Sequence, residues 1–353
     1  MDTNLYITAG AALLTAVSPH LLNANVYILT ESAAAFSIVV FLWLYALSTS
    51  YLVGDKQLIF KPTLVSPPSW QKFVSPWFLL GLAIAAGTLI RPTLQWFLLP
   101  LLGIVYALPV KDSTTPWKRF VLVVFGFIVV MLPWWIRNIL QFSELSNSSL
   151  MINTLHHGMY PNFTYEGHPE SFGFPYRFDP RSPEIAASLG SVIHEIVRRF
   201  IADPAQHLYW FLVGKILMFW NWSNDAQGAG DVFIYPMLHT PFTSNLLLSI
   251  LHEIMRFLHV PLVVIGMISS VSAWLPIAKR RVLDQGRLWF WRTLSAVLLY
   301  FVAIHMVGAP FPRYNIPVLP VLYMQVMLTL SLAGEYFRNH KYDEATATRS
   351  LDT

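Results

Sequence analysis

The chain of 353 residues has no cysteine, which excludes disulfides, thiolate catalysis and cysteine-ligated metals. Charge is scarce too: 12% of residues are Asp, Glu, Lys or Arg, about half the share found in a soluble domain. Such a chain cannot cover itself in water. With 55% hydrophobic residues, mean hydropathy +0.51 and apolar residues in long runs, the composition specifies an integral membrane protein. Also missing are a Walker loop, a dinucleotide fingerprint, a nucleophile elbow and an HExxH pair, so nothing supports soluble-nucleotide chemistry. No basic stripe is interleaved with aromatics, which argues against a nucleic-acid partner. The first twenty residues carry Asp2 and no basic stretch, and do not read as a cleavable signal. No internal repeat is visible.

What is present is a series of apolar segments, at 4–20, 33–53, 73–90, 94–109, 119–136, 208–220, 257–276, 288–308 and 315–335. They predict an all-α, polytopic transmembrane bundle of eight or nine segments. The segments at 94–109 and 208–220 are short for a crossing, and the second suits a tilted or re-entrant piece. Lysine and arginine cluster at Lys56, Lys61 and Lys72, at Lys111, Lys118 and Arg119, at Lys279, Arg280, Arg281 and Arg287, and at Arg338 and Lys341. These clusters alternate correctly when all are cytoplasmic, and they account for the net charge of +4. The chain divides into helices over 1–136, a non-cytoplasmic loop and helical region over 137–256, helices over 257–337 and a disordered cytoplasmic tail over 338–353.

Within the outer region, 143–181 is rich in turn residues and reads as a structured loop. A helix is predicted to follow, capped by Ser182, with Pro183 in its first turn and an apolar face of Ile185, Leu189, Val192, Ile193, Ile196, Val197 and Phe200 lying on the membrane surface. Asn147, Asn162 and Asn221 each open a short glycosylation-type motif. The adjacent pair His156-His157 does not share a helix face, and no metal site is completed around it.

Three arginines beside proline or tryptophan stand out: Arg91 before Pro92, Arg137 after Trp134-Trp135, and Arg313 after Pro312. All three fall on the predicted non-cytoplasmic side, where basic residues are sparse. Singly, each suits a bland role at a helix end or in the interfacial aromatic belt. Together they suit a phosphate, whose oxygens a guanidinium binds bidentately. Glu31 reads either as a first-turn acid behind a Thr30 cap or as a carboxylate facing a polar cavity. His20 and His305 lie near the same depth, and Lys215 is an ionisable group in an apolar run, with snorkelling as its ordinary explanation.

Several stretches resemble the membrane-embedded GT-C glycosyltransferases that use polyprenyl-phosphate sugars, above all family 39, the group of protein O-mannosyltransferases and lipid A aminoarabinose transferases. They are Ser18-Pro19-His20 with Leu29-Thr30-Glu31, the run from Gly81 to Arg91-Pro92-Thr93, Pro133-Trp134-Trp135-Ile136-Arg137-Asn138, and Arg313-Tyr314-Asn315-Ile316-Pro317. The likeness covers about 10–335. It implies a GT-C-like fold and transfer of a sugar from a polyprenyl-phosphate donor to a lipid, glycan or protein acceptor at the non-cytoplasmic face, with the bacterial inner membrane as the setting and membrane lipids as partners. Arg91, Arg137, Arg313, Tyr314, His20, His157 and Tyr160 are then the substrate contacts and Glu31 the acidic site residue. No cofactor is implied, a divalent cation being the one open exception. The family's base is an aspartate in a first outer loop. This chain starts near the family's third helix and offers no residue for that role, so a truncated or inactive form is expected. A transporter or flippase for an anionic lipid or solute is the rival reading.

Overall fold

The computed structural model describes residues 3–27, 29–50, 74–108, 115–146, 148–237, 239–275 and 285–334. Most of the loop lysines and arginines used for orientation, Asn147 and the tail lie outside these residues. Regular structure among the described residues is helical, with one isolated bridge between Tyr165 and His168. The helices are α1 (Thr3–Ala16), α2 (Pro19–Val26), α3 (Thr30–Ser50), α4 (Pro76–Ile90), α5 (Leu98–Ala107), α6 (Pro116–Phe142), α7 (Ser148–Gly158), α8 (Ser182–Ile185), α9 (Leu189–Ala202), α10 (Pro204–Tyr209), α11 (Lys215–Phe219), α12 (Pro241–Ser244), α13 (Leu246–Ser272) and α14 (Gln285–Val307). A final helix, α15, opens with a 3-10 turn and spans Pro312–Gly334.

Proline opens many of these helices, at Pro19, Pro76, Pro116 and Pro204 among others. Its missing N–H is one a first turn leaves unused anyway. Thr115 and Asp203 accept backbone N–H groups as side-chain caps beside such prolines.

Among the described residues, five helices are long and apolar enough to cross a membrane: α3, α6, α13, α14 and α15. The bent pair α1–α2, with an angle of 51°, makes a sixth if counted as one span. α4 and the stretch Pro92–Ala107 are shorter apolar helices. The side of α6 that carries Val121, Phe125, Ile128 and Leu132 is exposed, as is the stripe Ile250, Ile254, Phe257, Val264 and Ile268 of α13. Faces this apolar and this open suit lipid as the solvent.

Helices lacking a hydrophobic drive toward one another pack by small residues and polar contacts. Gly81 and Gly126 do the first: a methyl on Gly81 would stand 2.1 Å from the Val123 carbonyl, and one on Gly126 2.2 Å from that of Phe78. The second kind joins α13, α14 and α15. Trp291 donates to Ser269 at 2.9 Å, Ser295 to the Ser270 carbonyl at 2.6 Å, and Thr329 to Ser269 at 2.5 Å.

These contacts also fix the register. Trp77 meets Arg119, and Phe78 meets Phe125, so α4 and α6 run in parallel. Glu31 meets Arg91 and Ser37 approaches Gly87, so α3 runs against α4. The start of α3, the end of α4, the Arg137 end of α6, the end of α14 and the start of α15 therefore share one end of the bundle. The region between α6 and α13 packs there.

Four expectations change. α6 continues through Arg137 to Phe142, so Arg137 sits inside a helix rather than at its end. α13 begins at Leu246, ahead of 257, because His252, Glu253 and Arg256 dilute the apolar signal of its first turns. The predicted helix from Ser182 breaks: Ser182 starts the short α8, and Ser188 caps α9 by accepting the Ser191 N–H at 3.1 Å. Of its predicted face, Ile185 and Val192 are buried while Ile193 and Val197 are exposed. The segment 208–220 is not a candidate span; it bends through a π-turn at Trp210–Gly214.

Candidate functional site

The shared end of the bundle collects the predicted residues into three groups. The first is centred on Glu31 and Arg91. Arg91 precedes proline, which disfavours helical backbone, and it ends α4 in an extended conformation. Its guanidinium reaches the carboxylate of Glu31 at 3.2 Å, with both side chains buried. Each group also suits its helix end, the anion at an N-terminus and the cation at a C-terminus. Thr30 is the first residue of α3, not its cap, and its hydroxyl donates to Glu31 at 3.3 Å.

Tyr314 meets two cations, with Arg91 4.8 Å and Arg313 5.4 Å from its ring centroid. Arg313 donates through Nη2 to the Gln227 amide oxygen at 3.3 Å. Its Nε is buried and has no hydrogen-bond partner. His305 packs against Tyr314, at 5.3 Å between ring centres, and donates to the Phe301 carbonyl at 2.7 Å. Arg137 comes to the same end of the α4–α6 pair but remains exposed. It donates to Asn138 at 3.2 Å and lies over the rings of Trp134 and Phe142.

The second group holds chain ends together. His20 from α2 donates to the Trp222 carbonyl at 2.8 Å, His259 from α13 to Trp220 at 2.7 Å, and Asn315 from α15 to Phe219 at 2.8 Å. Three helices thus satisfy the orphan carbonyls where α11 stops. Lys215 does the same for α14. Fully buried, it donates to the carbonyls of Met306 at 2.9 Å and Gly308 at 2.8 Å, so it caps a helix rather than snorkelling. The geometry assigns His20 and Lys215 to this bracing.

The third group is formed by α7, α9 and the loop between them. His157 donates to the Gly173 carbonyl at 2.7 Å within a ring of Phe163, Tyr176 and Phe311. Burial lowers its pKa to about 4, against the pull of that hydrogen bond. Tyr160 donates to Asp179 at 2.7 Å, accepts from His156 at 3.2 Å and lies under Arg199. Burial, then the Asp179 hydrogen bond, raises the Tyr160 pKa, and burial lowers that of His156. Glu195, buried, receives Arg198 at 2.6 and 2.8 Å, Arg199 at 2.8 Å and Arg181 at 3.2 Å. Hydrogen bonds from Arg198 and then Arg199 hold its pKa at about 2.

Gln227, Asp179 and Glu195 escaped the sequence reading. For Glu195 a signal existed, since Arg198 and Arg199 follow it at the spacings that meet on one helix face. Gln227 had none, because a turn far along the chain delivers it. Among the described residues no group of three or more His, Cys, Asp or Glu side chains could hold a metal ion. Compared with known proteins, the chain matches no family model, no curated protein and no solved structure.

Proposed function

We propose that the chain is a membrane glycosyltransferase of GT-C type. It would have eight or nine segments when the bent and short helices are counted, and would move a sugar from a polyprenyl-phosphate carrier to a lipid, glycan or protein acceptor. Its active end faces the periplasm or cell exterior, and the membrane is a bacterial inner membrane. The observation that carries this reading is the pair of guanidiniums about Tyr314, one of them with a buried, unpartnered Nε. A buried N–H left unpaired costs about 1–3 kcal/mol, and a phosphate oxygen would satisfy it.

Charge supports the same ligand. Glu31 neutralises Arg91, so Arg313 supplies the net positive charge of the array. A phosphodiester carries a single negative charge and matches it. As the sugar leaves, the carrier phosphate gains a second charge, which the Arg91 and Arg313 guanidiniums offset. Glu31 positions Arg91 and lines the acceptor side. Arg137, exposed at the same end, meets the donor as it approaches from lipid.

Purified protein in lipid nanodiscs, supplied with radiolabelled polyprenyl-phosphate sugar and cell-envelope acceptors, should transfer label. Arg313→Ala should lower the rate tenfold or more, the size of one lost charge-assisted contact. Absence of transfer by the wild type, or undiminished transfer by both Arg313→Ala and Arg137→Ala, overturns the proposal. The 51° break between α1 and α2 favours a second reading, transport of the same anionic lipid, since transporters build sites at broken helices. Movement of a fluorescent polyprenyl phosphate across proteoliposomes without transfer would select it.

A further inference from the structure

Apart from the arginine array, the region between α6 and α13 contains a cleft of about 540 Å³. Arg181, Arg198 and Arg199 line one wall, Gln206 and His207 of α10 another, and the loop Pro161–Gly167 with Tyr165 the third. The loop is held in an uncommon shape, with Asn162 at φ 54° and Glu166 at φ 49°. We propose that this cleft binds a neutral saccharide.

The polar groups select that ligand. His207 is 94% buried, its relative exposure being 6%, and its Nδ1 donates to the Asp203 carbonyl at 2.8 Å. A carbonyl only accepts, so Nδ1 carries the hydrogen, and in that tautomer Nε2 holds a lone pair. That Nε2 is buried with no partner, on a side chain that lines the cleft. It calls for a donor. A sugar hydroxyl donates, and an ionised phosphate does not.

The arginines point the same way. Glu195 already takes N–H groups from all three, and Asp179 takes another from Arg199 at 2.8 Å. Their positive charge is therefore largely answered, and Asp179 and Glu166 on the same walls oppose an anion. Arg181 and Arg198 remain about half exposed, with N–H groups left to donate. Gln206, Asn162 and Thr164 add side chains that donate and accept, and Tyr165 offers a ring face. Paired donors and acceptors around an aromatic wall suit vicinal hydroxyls better than a point charge.

This site is separate from the arginine array and does not depend on transfer. If the chain is a transferase, the cleft is where a glycan acceptor would be held, and that extension alone rests on the proposed function. The test uses full-length protein in nanodiscs, with no lipid-linked donor, on an array of neutral hexose and N-acetylhexosamine oligosaccharides, followed by calorimetry with the best-retained glycan. Retention of a neutral glycan, undisturbed by millimolar inorganic phosphate, is expected. Gln206→Ala, at an exposed helix position, and His207→Leu should each weaken binding about tenfold, the cost of about one lost hydrogen bond to the ligand. Failure to retain any glycan, displacement by phosphate, or wild-type affinity in Gln206→Ala would overturn the assignment. Because this assay contains no donor it is independent of the transfer assay: glycan binding here with no transfer there counts against the transferase alone, and transfer there with no glycan binding here counts against the cleft alone.

Discussion

Replacing Glu195 by Gln should loosen the region between α6 and α13, with an effect whose size and pH dependence are both set by the structure. Its carboxylate is buried and takes hydrogen bonds from three arginines between 2.6 and 3.2 Å. A glutamine keeps one acceptor oxygen and turns an NH2 group toward guanidiniums that can only donate. The pKa of Glu195 falls from an ordinary 4.5 to about 2. At about 1.4 kcal/mol per unit this corresponds to roughly 3 kcal/mol, and nearer 2 after discounting Arg181 and Arg198, which are half in solvent. Because the folded pKa is the depressed one, the stabilisation is complete above about pH 4.5 and is lost as pH falls toward 2. Hydrogen exchange read by mass spectrometry over α9 and the loop at 160–181 is the suitable assay, since opening of one region need not follow global unfolding. At neutral pH, Glu195→Gln should exchange roughly 30- to 100-fold faster than wild type there. Near pH 3, compared at the same pH, the gap should shrink to a minor fraction. An equal gap at both pH values, or none at neutral pH, would refute the electrostatic account.

Other consequences follow from the packing. Gly126→Leu should separate α4 from α6, because even a methyl at that position meets the Phe78 carbonyl at 2.2 Å; loss of the monodisperse peak in size-exclusion chromatography would report it. Lys215→Ala removes the donor to two close carbonyls at the end of α14 and opens a cavity, and should lower stability by about 2–4 kcal/mol in thermal unfolding. His157, with its folded pKa near 4 and an unfolded value of 6.5, stays neutral in the fold, so stability should fall as pH drops from 6.5 toward 4. His157→Gln should flatten that dependence in melting curves. The Glu31–Arg91 pair has a different signature: Arg91→Leu alone should destabilise by several kcal/mol, and the double change Glu31→Leu with Arg91→Leu should recover much of the loss while abolishing activity.

The parts of this protein legible in its sequence were those governed by local rules. Helical class and membrane habitat follow from apolar runs, so α3, α6, α14 and α15 fall where the runs do. Helix ends were harder. The first turns of α13 carry His252, Glu253 and Arg256, and a hydropathy reading discards them although the helix runs through. That Arg91, Arg137 and Arg313 come to one end of the bundle was readable, because each borders an apolar run and the runs alternate in direction. Their grouping was not. Depth is one coordinate, whereas Arg91 meets Glu31 and Tyr314 while Arg137 stays exposed on α6, and which helices adjoin depends on contacts such as Gly81 against Gly126.

The histidines sharpen the point, because residue type and depth alone favoured function for His20, and packing assigns it differently. A chain that turns back at a membrane boundary exposes carbonyls that lipid cannot satisfy. At Phe219, Trp220 and Trp222 the supply comes from Asn315, His259 and His20, each on a different helix. Gln227, in the turn that follows, accepts from Arg313. Arg313 Nε is, by contrast, among the buried polar atoms left without a partner, as are Trp220 Nε1 and Asn315 Oδ1. A buried N–H left open in this way costs about 1–3 kcal/mol, and under the proposed function an anionic oxygen would offset it.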